Sequence, residues 1–337
     1  MKKPVRSVLI LLAIALSGVS ACMRSSDCFS EEVFCAALVT DTLGIEDHGV
    51  NQDTWAGMEE SKANGLVDQI EYIESVDTRD YEKNISYFAE RGFDVIFTTG
   101  VGLRDETLRS ADRYADSVFV GMNQPQEETR PNLIPVTYAE DQMGFLAGVL
   151  AARITQTQIV GAVCETSGID SMWRYCEGFR AGVKYADKNI KAQVIYNENG
   201  DSEKLFIDEA WGFETGQTLI QRGADVIFAA GGTTGQGALR AAVEADVHAI
   251  GTERDQAEFF GNSRSSVVTS VLGSNSFEAQ NMIRLLRDGN INELRPGQIK
   301  YMPLDQKFPQ SLAQELDALL LALLNGEIMT NVTISKP

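Results

Sequence analysis

Two segments of the chain repeat one pattern, RGFDVIFTTG at residues 91–100 and RGADVIFAAG at residues 222–231. They are identical at seven of ten positions and begin 131 residues apart. Each reads as a helix end, a glycine turn, a short strand of Val, Ile and Phe, and a glycine exit. The repeat predicts two similar α/β lobes, each with a glycine-rich turn at the carboxyl end of a strand, where open parallel sheets bind ligands.

Short apolar runs alternate with longer helical stretches along most of the remaining chain. Unbroken runs of Val, Ile and Phe are typical of strands buried on both faces, and therefore of parallel sheets. Strands are predicted at residues 33–39, 93–98, 117–122, 159–164, 193–196, 226–229 and 248–250. Helices are predicted at residues 51–63, 79–91, 140–154, 175–187, 208–222, 236–244 and 277–288, with a docked amphipathic helix around 316–324.

Three segments interrupt this alternation, near residues 132–138, 267–272 and 299–303, and we interpret them as hinge crossings between the lobes. A three-crossover hinge is typical of the type I periplasmic-binding-protein fold, whose lobes close around a ligand. We therefore predict an α/β protein with two doubly wound parallel-sheet lobes. The predicted parts are a signal peptide at 1–21, a tether at 22–32, an N-terminal lobe at 33–137 plus 272–298, and a C-terminal lobe at 138–267 plus 302–337.

The charge and the residue types exclude several function classes. The 337 residues include 29 Lys and Arg against 48 Asp and Glu, a formal net charge of −19. Such a surface repels the phosphates of nucleic acids and of anionic lipids. The two histidines, His48 and His248, leave little room for imidazole catalysis, and no GxSxG nucleophile motif is present. We predict no catalytic residue, no metal site, no cofactor and no nucleic-acid partner.

The beginning of the chain reads as an export signal. Lys2, Lys3 and Arg6 precede an apolar run at residues 8–16, which is too short to span a bilayer. Small residues then lead to Cys22 in VSAC, which resembles a bacterial lipobox. We predict a lipid on Cys22 that alone attaches the protein to the extracytoplasmic face of the cell membrane. The alternative is an ordinary cleaved signal with a structural Cys22.

The cysteine count agrees with export. Five cysteines leave one over, and lipid on Cys22 would account for it. The other four fall into two local pairs, Cys28 with Cys35 and Cys164 with Cys176, so two disulfides are the simplest pairing in an oxidising compartment. Free buried thiols remain the alternative.

The loop after the first strand carries the most informative polar residues. It reads VTDTLGIEDHGVNQ at residues 39–52, and its carboxylates Asp41 and Asp47 and the amide of Asn51 can bond to ligand hydroxyls. An ordinary helix cap is the alternative. A metal site at Glu46, Asp47 and His48 is disfavoured because adjacent side chains diverge.

Glycines and one aromatic residue complete the predicted site. Gly100, Gly231 and Gly232 leave strands and allow a ligand to approach the backbone. The run GGTTGQG at residues 231–237 lacks the Gly-Lys-Ser/Thr ending of a phosphate loop, so it favours a neutral polar ligand. Phe206, in LFID at residues 205–208, is either core packing or a stacking face for a flat ligand.

Several motifs together resemble one family. They are VTD at 39–41 with Asp47 and Asn51, GFDVI at 92–96, GFRAGV at 178–183, GADVIF at 223–228 and IGTERDQ at 250–256. The resemblance is to the basic membrane protein family, the substrate-binding lipoproteins of ABC transporters, among which the best understood members bind purine nucleosides. It covers roughly residues 33–288 and implies the same two-lobe fold.

The resemblance also assigns roles to residues of this chain. It implies that Asp47 and Asn51 hold a nucleoside beside Asp41, that Phe206 stacks on the base, and that Glu253, at the position of a family aspartate, accepts bonds from ribose hydroxyls. The chain departs from the family motif in having Val50 for an aromatic residue, Asn123 for an aspartate and Gly273 for a lysine. The predicted ligand-binding residues are thus Asp41, Asp47, Asn51, Gly100, Asn123, Phe206, Gly231, Gly232 and Glu253.

The function predicted from the sequence is a lipid-anchored solute-binding protein of an ABC importer. It captures a small polar ligand, a purine nucleoside by resemblance, in the cleft between the lobes and passes it to a permease. Two alternatives use the same cleft: a receptor that senses the ligand for a signalling partner, and a nucleoside hydrolase, for which the chain lacks an acid–base pair.

Overall fold

The computed structural model describes residues 27–289 and 297–337, with backbone alone at 262–264, and the signal peptide and Cys22 lie outside the described residues. The first half forms a five-stranded parallel sheet in the order β2-β1-β3-β4-β5. Its elements are β1 (Cys35–Val39), α1 (Val50–Ala63), β2 (Gln69–Ile73), α2 (Tyr81–Ala89), β3 (Val95–Thr99), α3 (Arg104–Arg113), β4 (Val118–Met122) and β5 (Leu133–Val136).

The second half forms a six-stranded sheet in the order β11-β10-β9-β8-β6-β7, parallel except for β11. Its strands are β6 (Ile159–Cys164), β7 (Lys191–Tyr196), β8 (Val226–Ala230), β9 (His248–Thr252), β10 (Val267–Gly273) and β11 (Ile299–Tyr301). The helices that accompany them are α4 (Glu140–Ile154), α5 (Asp170–Ala186), α6 (Glu209–Gln221), α7 (Gly232–Glu244), α8 (Gln256–Phe259), α9 (Asn275–Arg287) and α10 (Gln310–Leu324). The predicted α/β class with two parallel sheets is confirmed.

The sequence repeat corresponds to β3 in one sheet and β8 in the other. Both strands are buried along their whole length because helices cover both faces of the sheets. Gly92 and Gly223 turn into these strands with φ of 75° and 94°. Gly100 and Gly231 leave them with φ of 84° and 117°, a region that side chains disfavour. The two copies therefore build the same strand with the same glycine exit.

The chain crosses between the sheets three times. It leaves the first sheet after β5 and enters α4, leaves the second sheet after β10 and enters α9, and returns to the second sheet at β11. Helix α9 packs on α1 of the first half, whereas α10 packs on α4. The three segments predicted as hinge crossings therefore contain strands β5, β10 and β11 of the sheets. We propose to divide the chain into its two lobes at these crossings.

Helices α4 and α5 touch through glycines, which brings α5 tightly against the lobe core. A Cβ on Gly144 or Gly148 of α4 would lie 2.1 Å from a carbonyl oxygen of α5, and one on Gly182 would lie 2.0 Å from the carbonyl oxygen of Phe145. The GFRAGV motif thus serves helix packing, because only glycine permits this approach.

Two further features also agree with the sequence analysis. Disulfides join Cys28 to Cys35 and Cys164 to Cys176, the simplest pairing predicted. Helix α10 buries Leu312, Leu316, Leu319 and Leu323 on one face, as expected of a docked amphipathic helix. Within residues 27–289 and 297–337, no helix is both long and apolar enough to cross a membrane.

Candidate functional site

A cavity of about 860 Å³ lies between the two sheets and is lined by residues of both. Asp41, Gly100 and Asn123 line it just after β1, β3 and β4 of the first sheet. Gly232 and Glu253 line it just after β8 and β9 of the second sheet. All five stand at the carboxyl ends of parallel strands, and the volume is that of a small-molecule site.

Seven of the nine residues predicted to bind a ligand line this cavity, whereas Asn51 and Gly231 lie behind its wall. The seven are Asp41, Asp47, Gly100, Asn123, Phe206, Gly232 and Glu253. The structure therefore brings together residues that are more than 200 positions apart in the sequence.

The side chain of Asn51 is fully engaged within the protein. Its Nδ2 donates to Oδ1 of Asp41 and to the carbonyl oxygen of Gly44, each at 2.8 Å, and its Oδ1 accepts from the hydroxyl of Thr99. Asn51 is 1% exposed. It positions Asp41 and has no donor left for a guest.

Among the described residues, only one of the two carboxylate oxygens of Asp41 accepts a hydrogen bond. Its Oδ1 accepts from Asn51 and from the backbone N–H of Leu43 at 3.0 Å. Its Oδ2 lies 2.6 Å from the position that a Cβ on Gly100 would take. Glycine at position 100 therefore leaves room for Oδ2 beside the cavity.

Asp47 has both roles that the sequence allowed. It lines the cavity, and it accepts from the backbone N–H groups of Gly49, Asn51 and Gln52 at 2.9–3.0 Å, at the start of α1. A carboxylate at a helix N-terminus is stabilised by the helix dipole. The side chain of Asp47 thus both bonds to the start of α1 and forms part of the cavity wall.

Glu253 approaches Asp47 from the opposite lobe. It adopts a φ of 70° and accepts a hydrogen bond from the backbone N–H of Gly232. Its Oε2 and Oδ2 of Asp47 each lie 3.1 Å from the place that a Cβ on Gly49 would take. Carboxylates of the two lobes therefore face each other across a glycine.

No basic side chain neutralises this group of carboxylates. Arg79 is the one cation among the described residues that line the cavity, and it pairs with Asp77 at 2.8 Å and is largely exposed. Arg254 turns away from the cavity toward Asp53 and Glu258. The acidic cavity is therefore unfavourable for an anionic ligand.

Burial and mutual repulsion change how these carboxyls titrate. Burial, reinforced by the charges of Asp47 and Asp41, raises the pKa of Glu253 to about 7. Burial also raises the pKa of Asp47 to about 6, although hydrogen bonds from three backbone N–H groups lower it. The pKa of Asp41 is raised by burial too, although Asn51 and Leu43 donate to it.

Phe206 is held at the cavity by a strained turn. Its φ is 66°, its N–H donates to Oε2 of Glu165 at 3.1 Å, and its carbonyl oxygen accepts from Thr234. Glu165 is 1% exposed. A backbone held in this region at a ligand site is typical of a functional position.

The glycine run at residues 231–237 is the start of α7, which begins at Gly232, earlier than predicted. Because the N–H of Gly232 donates to Glu253, the helix start already holds a carboxylate of the chain itself. No group of three or more metal-binding side chains occurs in the part of the chain that the structure describes.

Two amides of the second lobe reach across to the loop of the first. Gln236 Nε2 donates to the carbonyl oxygen of Asp47 at 2.8 Å, and Gln256 Nε2 donates to that of His48 at 3.0 Å. The rings of His48 and Phe259 lie 4.8 Å apart. These contacts hold the two lobes together on one side of the cavity.

Sequence reasoning missed several cavity residues that lie on helices. Tyr81, Met172 and Tyr175 are nearly buried and resemble core positions in the sequence. Glu140 begins α4 and accepts two hydrogen bonds from Arg174, at 2.8 and 2.6 Å. The only sequence feature that could have indicated Glu140 is its place as a carboxylate at the start of an apolar helix.

The three departures from the family motif occupy different places. Val50 and Asn123 line the cavity, and Oδ1 of Asn123 is buried without a hydrogen-bond partner among the described residues. Gly273 does not line it, and a Cβ there would lie 2.5 Å from the ring of Tyr138.

Comparison with known proteins agrees with the fold. A family model named Bmp, described as PnrA-like substrate-binding proteins of ABC transporters, matches residues 34–307. That description is of a binding role and not of an enzyme.

Three similar proteins illustrate the match. The "CD4+ T-cell-stimulating antigen" of Listeria monocytogenes is 31% identical over 278 residues, covering 76% of this chain and 74% of its own length. The "ABC transporter nucleoside-binding protein BmpA" of Lactococcus lactis is 30% identical over 278 residues, 77% of each chain. A solved ABC transporter solute-binding protein from Conexibacter woesei shares the fold with a TM-score of 0.70 at 23% identity, covering 90% of this chain and 100% of that one. The chain therefore belongs to the Bmp family of PnrA-like substrate-binding proteins of ABC transporters.

Proposed function

We propose that the chain captures a nucleoside in the cavity between its lobes and delivers it to the permease of an ABC importer. The observation that carries the proposal is the meeting of carboxylates from both lobes with an aromatic ring in one cavity. The printed name of the Lactococcus lactis relative, a nucleoside-binding protein, supports the same ligand class.

The carboxylates suit a guest that donates hydrogen bonds. Oδ2 of Asp41 in the first lobe accepts no hydrogen bond from the residues that the structure describes, and Glu253 faces the cavity from the second. Two sugar hydroxyls, one donating to Asp41 and the other to Glu253, would join the two lobes, because charge-assisted hydrogen bonds are roughly twice as strong as neutral ones. The guest thereby relieves the repulsion that opposes closure.

Phe206 supplies a flat apolar face. In this proposal the base stacks on its ring, and Val50 provides an aliphatic contact where a second aromatic residue is absent. The unpartnered Oδ1 of Asn123 is available to a donor on the guest. An unphosphorylated nucleoside offers a flat base, hydroxyl donors and no negative charge, as this cavity requires.

We also propose that Cys22 carries the lipid that holds the protein at the outer face of the membrane. The sequence before Cys22 supports this, and the formal net charge of −19 disfavours attachment to anionic lipid by charge alone. In cells that express the full chain, Cys22→Ala should release the protein from the membrane fraction and abolish the acyl mass found on the intact protein. Membrane association of this variant equal to wild type would contradict the proposal.

Truncating Phe206 tests the nucleoside proposal. Isothermal titration calorimetry with inosine, guanosine, adenosine and cytidine should detect binding of at least one nucleoside to wild-type protein freed of bound guest by unfolding and refolding. Phe206→Ala should weaken that binding about tenfold to a hundredfold, because base stacking is worth about 1–3 kcal/mol.

The matched control for this experiment is Phe213→Ala, which truncates a partly buried phenylalanine of α6 outside the cavity. It should leave the dissociation constant unchanged. If no nucleoside binds the wild-type protein, or if both variants bind alike, the proposed ligand or the role of Phe206 is wrong.

Replacing Glu253 tests the repulsion within the site. The pKa of Glu253 is raised to about 7 from its ordinary value of 4.5, so the ligand-free folded protein binds this proton more tightly than the unfolded chain does. The free energy of unfolding should fall as pH rises from 4.5 to 7. Glu253→Gln should therefore melt at a higher temperature than wild type at pH 8, with the difference vanishing toward pH 4.5.

Differential scanning calorimetry of ligand-free protein checks this, with the exposed Glu214→Gln as control. The control should show no pH-dependent difference from wild type. A Glu253→Gln variant that is less stable than wild type at pH 8 would mean that the carboxylate has a stabilising partner.

A further inference from the structure

Tyr138 stands where the three crossings between the sheets meet. It follows β5 and precedes α4, so it lies on the first crossing. Gly273 ends β10 on the second crossing, and Gly297 precedes β11 on the third. The side chain of Tyr138 is 6% exposed and does not line the ligand cavity.

The ring of Tyr138 is enclosed by the two glycines. A Cβ on Gly273 would lie 2.5 Å from Cγ of the ring, and a Cβ on Gly297 would lie 2.3 Å from Cε1. Real Cβ atoms do not approach this closely, so the ring occupies the space where side chains at positions 273 and 297 would otherwise lie. The backbones of the second and third crossings thus contact the Tyr138 ring of the first crossing directly.

Hydrogen bonds connect the same three crossings. The hydroxyl of Tyr138 donates to Oδ1 of Asn275 at 2.8 Å, at the start of α9. The N–H of Gly297 donates to the carbonyl oxygen of Thr137 at 3.0 Å, and that of Ser274 donates to Gln298 at 2.8 Å. Each crossing is therefore bonded to another beside the ring.

We propose that Tyr138 is the pivot of lobe closure, a positioning residue whose ring sets the separation of the three crossings and thereby the angle between the lobes. The proposal rests on capture between two lobes but not on the identity of the guest. A rigid aromatic ring in a close-packed site keeps its neighbours at a fixed distance, whereas the glycine surfaces allow the crossings to twist against it. Movement of one lobe must therefore proceed around this ring.

The test measures the distance between the lobes in ligand-free protein. Spin labels are placed on Lys83→Cys in α2 and Glu214→Cys in α6, both exposed, in the full chain carrying Cys22→Ser, and distances are read by double electron–electron resonance. Tyr138→Phe keeps the ring and should preserve the wild-type distance distribution. Tyr138→Leu removes the ring and should broaden the distribution.

Gly273→Ala supplies the reciprocal change. Its methyl group should displace the ring and shift the mean distance between the labels. In the double variant with Tyr138→Leu, the methyl group occupies space that the ring has vacated, so the broadened distance distribution should become narrower. Phe88→Leu is the control, since Phe88 is fully buried in the first lobe away from the crossings. It should lower the melting temperature and leave the distribution unchanged.

The outcomes separate a pivot from an ordinary core residue. Any of three results would overturn the proposal. Folded Tyr138→Leu could show the wild-type distance distribution, or Phe88→Leu could broaden the distribution equally. The third result is that the effects of Tyr138→Leu and Gly273→Ala on the distribution simply add in the double variant. If Tyr138→Leu does not fold, Gly273→Ala decides alone: a shifted mean supports the pivot, and an unchanged mean overturns it. Because no guest is present, these results do not depend on whether the ligand is a nucleoside.

Discussion

Carboxylates from opposite lobes face one cavity, and no cation of residues 27–289 or 297–337 lies between them. Asp41 and Asp47 come from the first lobe and Glu253 from the second, and burial raises the pKa of each. Their mutual repulsion opposes closure of the empty cleft, since like charges repel strongly where water is excluded. In the proposed function, a guest that donates hydrogen bonds to both sides would remove this opposition and so couple the chemistry of the site to the movement of the lobes.

The fold makes this coupling possible. Parallel strands place their carboxyl ends at the same edge of each sheet, so the residues that leave the strands of both lobes meet in one cavity. The rest of the chain holds these residues at fixed positions. Asn51 orients Asp41, the start of α1 engages Asp47, and the start of α7 engages Glu253. The cavity therefore presents several carboxylate acceptors, which suit a guest that donates hydrogen bonds.

Much of the fold was predictable because the repeat combines apolar strands with glycine turns whose positive φ leaves few alternatives. Strand β2 and helix α3 were missed because their residues are polar or partly exposed and lack a clear apolar pattern. The cavity residues that directly follow strands, such as Asp41 and Gly100, were also predictable because they stand at the carboxyl ends of predicted parallel strands. The role of Asn51 was not, since it depends on Thr99, which is distant in the sequence. Tyr81 of the first lobe and Tyr175 of the second each look like core residues until the opposite lobe is placed beside them.

Small-angle X-ray scattering tests the central claim most directly, because it measures lobe closure without labels. The protein should be freed of guest by unfolding and refolding, then measured at pH 8 alone and with a saturating nucleoside that binds in calorimetry. We predict a smaller radius of gyration with the nucleoside and a larger one without it, since repulsion between Glu253 and Asp47 opens the empty cleft. An identical radius of gyration in the two samples, with binding of the nucleoside to the refolded protein verified by calorimetry, would contradict capture by closure.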